Sequence, residues 1–450
     1  MIVNQLRETE TRDRPTGAVA AALPEPAGRV LAWLVRWHWR LEPVLIPAAL
    51  LLLAPLLVYA SNGLTPLLAV LALFYLPRVT ESLPGLTRLR QRHWWLPMGF
   101  LVFWAAASAF WSLQPQDDLI SGLQLGVTMA IGVLVVRGLC LTPPPVARRM
   151  GLFLPLSVLL VALLASAEIL LDFPYTRRML AQPPDYEGPD FLFLNNIARG
   201  MPVMLFLAWP AAYLLWFQQR RRLLAVLLLA LVAAVLLYLP MGATKMALVL
   251  SAAAGGLALL WPRIAIALTC SGAVLVGLAM AALLFLAPPG EVATAAAGRL
   301  PDSWTHRLQI WRYTADHIAE RPLEGFGFDA SRRIGGQLVS PTRQVPLVTG
   351  NGGQRLPLHP HSMPLQVWLE LGVIGLFAVA FLMFGVLRLI WRMAWDPPGA
   401  AMALATLVSW TAIASLSFGI WQTWWLNAAW LAVAAVVLAR RTVADRPAGA

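Results

Sequence analysis

The chain has 450 residues, of which 59% are hydrophobic and only 12% charged, with a mean hydropathy of +0.68. A soluble domain carries about 25% charged residues, so a chain this apolar cannot cover itself with polar surface and must take lipid as its main solvent. The net charge of +12 does not point to nucleic acid, because the basic residues sit in short connections between apolar runs rather than along one continuous face.

The N-terminal stretch holds Glu8, Glu10, Asp13 and Glu25 among its arginines. It has no short apolar run ahead of a small-residue cleavage site, so it does not read as a cleavable signal. Residues 29–40 mix Arg, Trp and Leu, the composition of an interfacial helix or of a basic anchor leading into a first span. A bilayer core is crossed by about 20 apolar residues. Runs of that kind occupy 44–60, 94–113, 119–139, 151–171, 197–217, 223–240, 264–287, 364–389, 401–419 and 421–439, and shorter runs cover 64–77 and 246–261. Together they predict an all-α polytopic membrane protein with about 12 transmembrane helices. Cys140 and Cys270 fall in or beside these runs and provide neither a disulfide framework nor a metal site.

Charge orients the spans. With the N-terminus inside, 22 of the 34 basic residues fall in inner connections, among them Arg78, Arg148, Arg149, the Arg220–Arg222 triplet, Arg263, Arg388, Arg440 and Arg441. The outer connection Gln114–Asp118 has none. The positive-inside rule therefore predicts that both termini are cytoplasmic. The resulting division is an N-terminal segment 1–43, helices one to nine over 44–287, a large outer loop 288–361, helices ten to twelve over 362–440, and a tail 441–450.

A loop of that length inside a compact protein is usually functional. It opens with a Pro/Gly/Ala stretch, 288–301, and continues as a helical pattern from Ser303 to Glu320 with Leu308, Trp311, Ala315 and Ile318 on one face. Arg321-Pro322 ends that pattern.

Ionisable residues within spans are costly and mark candidate sites. Here Glu168, Arg199, Lys245 and Glu370 all fall near outer ends, and the inner halves show no counterpart set. Ion pairing between helices, such as Arg199 with Glu168, is the alternative reading. His361 is the sharpest candidate. Ser362 reads as an N-cap with Pro364 in the first turn, so the imidazole stands at a helix N-terminus, where the dipole favours the neutral, proton-accepting form. His359 lies two residues away, but no cysteine or nearby carboxylate completes a metal set with it. Arg307 and Trp311 share a helix face, which suits a diphosphate or a sugar ring. The alternative is a helix lying on the membrane surface. No Rossmann or Walker pattern occurs, which leaves a donor already activated in the membrane.

Three stretches carry a family resemblance. His361-Ser-Met-Pro-Leu-Gln-Val-Trp-Leu-Glu-Leu-Gly372 resembles a His-Asn…Leu-Gln…Glu-x-Gly signature, with Ser362 in place of Asn. Arg307-Leu-Gln-Ile-Trp311, followed by Pro322-Leu-Glu-Gly-Phe-Gly327, is similar to an Arg-x-x-x-Trp and Pro-Leu-x-Gly-x-Gly pair, and Asn195-Asn-Ile-Ala-Arg-Gly200 to an Asn/Arg entrance. The ordered set resembles the O-antigen ligase and O-antigen polymerase superfamily. That resemblance implies a fold like that of C-type glycosyltransferases, with a large periplasmic loop between helices nine and ten, in a bacterial inner membrane. It implies a metal-independent, inverting transferase without cofactor, whose donor is an undecaprenyl-diphosphate-linked glycan and whose acceptor is lipid A–core oligosaccharide. His361 would be the general base. Arg199, Arg307, Lys245, His359, Trp311 and Glu370 would bind substrate. A polymerase or a protein O-oligosaccharyltransferase would use the same donor. A polysaccharide transporter would instead place its polar residues near the midplane and repeat its halves.

Overall fold

The computed structural model describes residues 25–81, 95–181, 191–286, 302–337 and 358–444. The acidic and arginine-rich stretch before Glu25, the loop opening at 288–301, the segment 338–357 and the last residues of the tail lie outside the described residues. The described chain is helical, and its elements follow the apolar runs.

Helix α1 (Glu25–Tyr59) is followed by α2 (Leu64–Glu81), α3 (Trp95–Ala107), α4 (Pro115–Leu141), α5 (Pro144–Gly151) and α6 (Phe153–Leu170). Short helices α7 (Pro174–Met179) and α8 (Phe191–Ala198) lead into α9 (Met201–Tyr213), then α10 (Arg222–Tyr238), α11 (Gly242–Leu260) and α12 (Pro262–Leu286). The large loop contributes α13 (Asp302–Glu320) and α14 (Ser331–Gln337), and the chain ends with α15 (Met363–Trp391), α16 (Pro397–Ala414) and α17 (Thr423–Ala444). Among the described residues, 10 helical segments are long and apolar enough to cross a membrane, and two shorter apolar helices, Leu96–Phe110 and Arg222–Tyr238, occupy the other two stretches expected to do so. The protein is an all-α, multi-pass membrane protein. Helix α1 runs unbroken through the expected boundary at 43, its membrane-crossing part being Arg40–Tyr59.

Between apolar helices in lipid, association depends on close backbone approach at small residues. The most extensive helix pair, α11 with α16, follows that rule. Ala243, Ala247, Ser251, Gly255 and Ala258 form a stripe along α11, and a β-carbon at Gly255 would lie 3.1 Å from that of Ala405. Gly200, at the break between α8 and α9, packs directly on the Leu57 carbonyl of α1, where a β-carbon has no room.

Polar groups are also buried at the opposite end, contrary to the expectation that the inner halves carry no such set. Arg78 donates to both oxygens of Glu42, at 2.9 and 2.6 Å, and Thr142 and Tyr75 donate to the same carboxylate at 2.7 and 3.1 Å. Arg441 reaches the carbonyls of Cys140 and Thr142 from α17. Glu42 escaped notice because it stands at the edge of an apolar run, where it reads as solvated.

One irregularity positions everything at the other end. Helix α15 is broken at Gly372, whose φ is 67° and ψ −172°. The break exposes backbone groups that lipid cannot satisfy, and the loop segment 322–327 supplies their partners. Phe326 N–H donates to Leu369 O, Gly327 N–H to Glu370 O, and Val373 N–H to Pro322 O, each at 2.9 Å. From α3, the Trp104 indole donates to Leu371 O at 2.9 Å. Backbone approaches backbone so closely that a β-carbon on Gly325 would meet the Glu370 carbonyl at 2.5 Å, and one on Gly372 would collide with the Leu323 carbonyl.

Gly372→Ala therefore combines a backbone conformation that essentially only glycine adopts, costing an alanine about 1–3 kcal/mol, with a backbone collision that no side-chain rotation relieves. Thermal unfolding in detergent should show a large loss of folded protein. Gly385→Ala in the same helix, where a β-carbon meets nothing within 4 Å, should leave the melting temperature unchanged or raise it, since alanine favours helix by about 1 kcal/mol.

Candidate functional site

The loop helix α13 forms as its periodicity predicts and stops at Glu320, before Pro322. Its apolar face is not laid on lipid. Ile310, Trp311, Ala315 and Ile318 are buried against Phe326, Ala330 and Ile334 of the loop and Leu365 and Leu369 of α15. His317 is buried in this packing, with Nδ1 against the Tyr313 carbonyl at 2.9 Å, which gives it a structural use.

The residues 415–422 between α16 and α17 gather the candidates. The sequence suggested that this helix continues to 419, but it ends at Ala414, and the carbonyls that follow face the site. His361 Nδ1 lies 2.5 Å from Ser417 O. A carbonyl oxygen only accepts, so Nδ1 carries the proton, and Nε2 of the neutral ring keeps its lone pair. On the adjacent residue, Leu416 O accepts from Arg307 Nε at 3.3 Å. An imidazole and a guanidinium are thereby fixed to neighbouring carbonyls.

The turn that presents His361 is itself anchored. Trp311 Nε1 donates to Pro360 O at 2.9 Å. His361 N–H donates to His359 Nδ1 at 3.2 Å, and the two rings meet edge to face with centroids 4.4 Å apart. His361 has a φ of 52°, left-handed for a residue with a β-carbon. Ser362 occupies the N-cap position and Pro364 the first turn, but the serine side chain makes no capping bond. Burial is the first cause of the lowered His361 pKa, with Arg307 and His306 pushing the same way and the Ser417 carbonyl opposing them. His359 is pushed down to about 3, first by burial and then by His361 and Arg332. Both imidazoles are neutral at pH 7.

Arg199 stands at the break between α8 and α9, exposed. It donates to Asn62 Oδ1 at 3.3 Å and lies over the Trp424 ring at 5.4 Å. Trp424 in turn donates to Gln422 Oε1 at 2.9 Å, so Arg199 borders the far end of the connection that holds His361 and Arg307. Lys245 occupies the first turn of α11, half-buried, and its ammonium makes no hydrogen bond or ion pair among the described residues. The suggested Arg199–Glu168 pair does not form. Glu168 instead accepts from Tyr59 Oη at 2.9 Å, Thr176 Oγ1 at 2.7 Å, and the Tyr175 and Thr176 N–H groups at 3.2 and 3.0 Å.

Two expected roles change. The Trp311 indole N–H is spent on Pro360 O, and an aromatic ring that lies under the Arg307 guanidinium, at 5.7 Å, is that of Trp304. Glu370 was expected to bind substrate, yet it is fully buried and both its oxygens are engaged. Oε1 accepts from Ser331 Oγ at 2.5 Å, Ser331 N–H at 3.3 Å and Gln366 Nε2 at 3.1 Å. Oε2 accepts from Asp329 N–H at 3.1 Å and Trp421 Nε1 at 2.5 Å. Gln366 completes the clamp by accepting from Ile420 N–H at 3.0 Å. Glu370 thus ties the loop and the 415–422 connection to α15.

Sequence reasoning also missed Arg332, close enough to depress the His359 pKa, and the carbonyls of Leu416 and Ser417. Arg332 carried a weak signal as half of an Arg-Arg pair. The carbonyls carried none, because any residue type provides one. Among the described residues, no group of three or more His, Cys, Asp or Glu side chains is placed to hold a metal ion.

Residues 191–380 match the family described as O-antigen ligase. That segment contains Arg199, Lys245, Arg307, Trp311, His359, His361 and Glu370. Proteins named "putative polysaccharide ligase" from Rickettsia conorii, Rickettsia prowazekii and Rickettsia bellii are 34%, 35% and 36% identical to this chain over 125, 134 and 124 residues. The alignments cover 28%, 29% and 28% of this chain, and they span 29%, 31% and 29% of the respective relatives.

The Glu370 clamp makes a specific prediction. Glu370→Gln turns a two-oxygen acceptor into a group that must point an N–H₂ at existing donors, which leaves buried donors unpaired at a cost on the order of 3 kcal/mol. Melting in detergent should fall, and limited proteolysis should cut faster within 321–337, the segment that Glu370 holds.

Proposed function

We propose that this chain, a member of the O-antigen ligase superfamily, transfers a glycan from undecaprenyl diphosphate to lipid A–core oligosaccharide at the periplasmic face of a bacterial inner membrane. The match to that family over residues 191–380 supports reading the chain as a glycan-transferring enzyme. The donor, acceptor and mechanism are the proposal.

The observation that carries the reading is the His361–Ser417 contact at 2.5 Å. It commits Nδ1 as donor, turns the Nε2 lone pair into the available base, and does so beside an arginine fixed to the next carbonyl. In the proposed step, Nε2 takes the proton of an acceptor hydroxyl as that oxygen forms its bond to the anomeric carbon. The bond from that carbon to the diphosphate oxygen breaks, and the electron pair leaves on undecaprenyl diphosphate. Arg307 and Arg199 bind the diphosphate and offset the charge growing on it, as preorganised cations do. Lys245 is a further candidate for the same anion. A single displacement inverts the anomeric configuration and needs no covalent enzyme intermediate. The charge distribution of the connections supports an orientation with the large loop and this site outside and both termini in the cytoplasm.

The direct test incubates full-length protein with undecaprenyl-diphosphate-linked glycan and lipid A–core oligosaccharide and follows product by gel. The glycan should move to lipid A–core, and His361→Ala should lower turnover by at least about 100-fold, the lower range for a general base. Chains that lengthen on the carrier instead would identify a polymerase. Undiminished transfer by His361→Ala would remove the base assignment.

The pH profile gives a second test with a definite sign. His361 must be neutral to accept a proton, and its pKa lies below the usual 6.5. The acid limb of kcat/KM should therefore fall below pH 6.5. His306 is exposed and contributes to the lowering, so His306→Asn should move the limb upward, toward 6.5. A limb above that value in the wild-type protein would contradict the assignment.

A further inference from the structure

We infer that His359 is a positioning residue for this transfer, its Nδ1 lone pair holding the His361 backbone in the left-handed conformation from which the His361 ring reaches Ser417. The inference rests on the base role of His361 and adds what keeps that base in place.

A left-handed φ in a residue with a β-carbon is unfavourable by about 1–2 kcal/mol and persists only where the surroundings over-determine it. At His361 there are three fixed points. The residue before it is pinned through Pro360 O by the Trp311 indole at 2.9 Å. Its own ring is pinned through Nδ1 by Ser417 O at 2.5 Å. Between them, its N–H is received by His359 Nδ1 at 3.2 Å. Trp311 and Ser417 act from distant parts of the chain, and neither engages the N–H whose direction the left-handed turn sets. His359 does.

The His359 ring is also a spacer. One of its edges meets the His361 ring at a 69° interplanar angle. Its Cδ2 and Cγ face Gly419, where a β-carbon would lie 2.9 and 3.1 Å away. The imidazole is thus wedged between the base and the connection that provides the base's carbonyl partner. A second base role fits poorly, because Nδ1 is already an acceptor for a backbone donor. Protonation would turn that acceptor into a donor and lose the bond. The charged and titratable groups acting on the pair are the His361 ring and Arg332 on His359, and Arg307 and His306 on His361. Burial first, then His361 and Arg332, push the His359 pKa down to about 3, so the acceptor persists at pH 7.

The competing role, a contact between His359 Nε2 and substrate, differs by one ring nitrogen, and amide isosteres separate the two. An asparagine at 359 puts its Oδ1 where Nδ1 stands, whereas a glutamine puts its amide where Nε2 stands. Full-length His359→Asn, His359→Gln and His359→Ala are assayed with the same donor and acceptor. His359→Asn should retain turnover within roughly threefold of wild type. The other two should lose roughly 10- to 100-fold in kcat, the scale of a misplaced catalytic group, with the KM for the lipid-linked donor unchanged.

Gly419→Ala supplies an independent route, since its methyl pushes on the His359 ring. It should lower kcat in the wild-type background and have little further effect with His359→Ala, a non-additivity expected of one shared contact. Rescue by Gln but not Asn, a rise in KM alone, or full additivity of Gly419→Ala with His359→Ala would each overturn the inference. His361→Ala run in parallel keeps the two readings apart. If it is active, the base assignment fails. If it is inactive while the His359 series runs the other way, only the positioning role fails.

Discussion

The break in α15 at Gly372 is the constraint on which the site depends. A membrane helix can be interrupted only where other groups receive the backbone donors and acceptors it releases. Here they are received by a loop segment that follows α13, through Phe326, Gly327 and Pro322. The docking is mutual. The loop is held because α15 is open, and α15 stays open because the loop is there. Once docked, the loop's apolar residues complete the packing around Trp311, and Trp311 fixes the carbonyl of Pro360. The direction of the His361 ring is thus set by a chain of contacts that begins at a glycine eleven residues farther along.

Much of this was legible in the sequence, and the physical reason is periodicity. Apolar runs gave the spanning helices because lipid demands continuous hydrophobic length, and the spacing of Leu308, Trp311, Ala315 and Ile318 gave α13 because one face had to be buried. The glycines of Gly325-Phe-Gly327 and of Glu370-Leu-Gly372 were visible as motifs, but nothing in one dimension says that the two motifs hydrogen-bond to each other. The connection 415–422 was hidden more thoroughly. Phe418, Ile420 and Trp421 are as apolar as a span, so the helix looked five residues longer than it is. Its contribution to the site is made by carbonyl oxygens, which no residue type signals. Trp311 shows the same limit in reverse. Its place on the face of Arg307 was correct, and its hydrogen-bond partner came from a part of the chain 49 residues away.

The electrostatics of the site follow from what is missing around His361 within the described residues. Its Nδ1 faces a neutral carbonyl rather than a carboxylate. A carboxylate would raise the imidazole pKa and stabilise the imidazolium. Burial and a nearby arginine do the opposite. The imidazole is therefore a weaker proton acceptor than usual and neutral at pH 7. Such a base suits a reaction in which the leaving group carries most of the driving force, because the proton need only be removed as the bond to a diphosphate breaks. In the proposed transfer, an arginine such as Arg307 would lower the pKa of the histidine and improve a diphosphate leaving group at once, so the two effects need not be provided separately.

A charged residue inside a membrane protein is a functional candidate by default, and the buried acids of this chain depart from it. Among the described residues, the three fully buried glutamates are each saturated by internal donors: Glu42 by Arg78, Tyr75 and Thr142, Glu168 by Tyr59, Tyr175 and Thr176, and Glu370 by Ser331, Gln366, Asp329 and Trp421. A carboxylate accepts several hydrogen bonds at once and can knit helices that share no apolar seam, so acids serve here as clamps. The cationic candidates Arg199, Arg307 and Lys245 are exposed or half-buried. Had acids lined the same mouth, they would have repelled a diphosphate and raised the pKa of the histidine. Buried carboxylates in the structural positions and cations at the rim are the arrangement that the proposed anionic, lipid-linked donor would need.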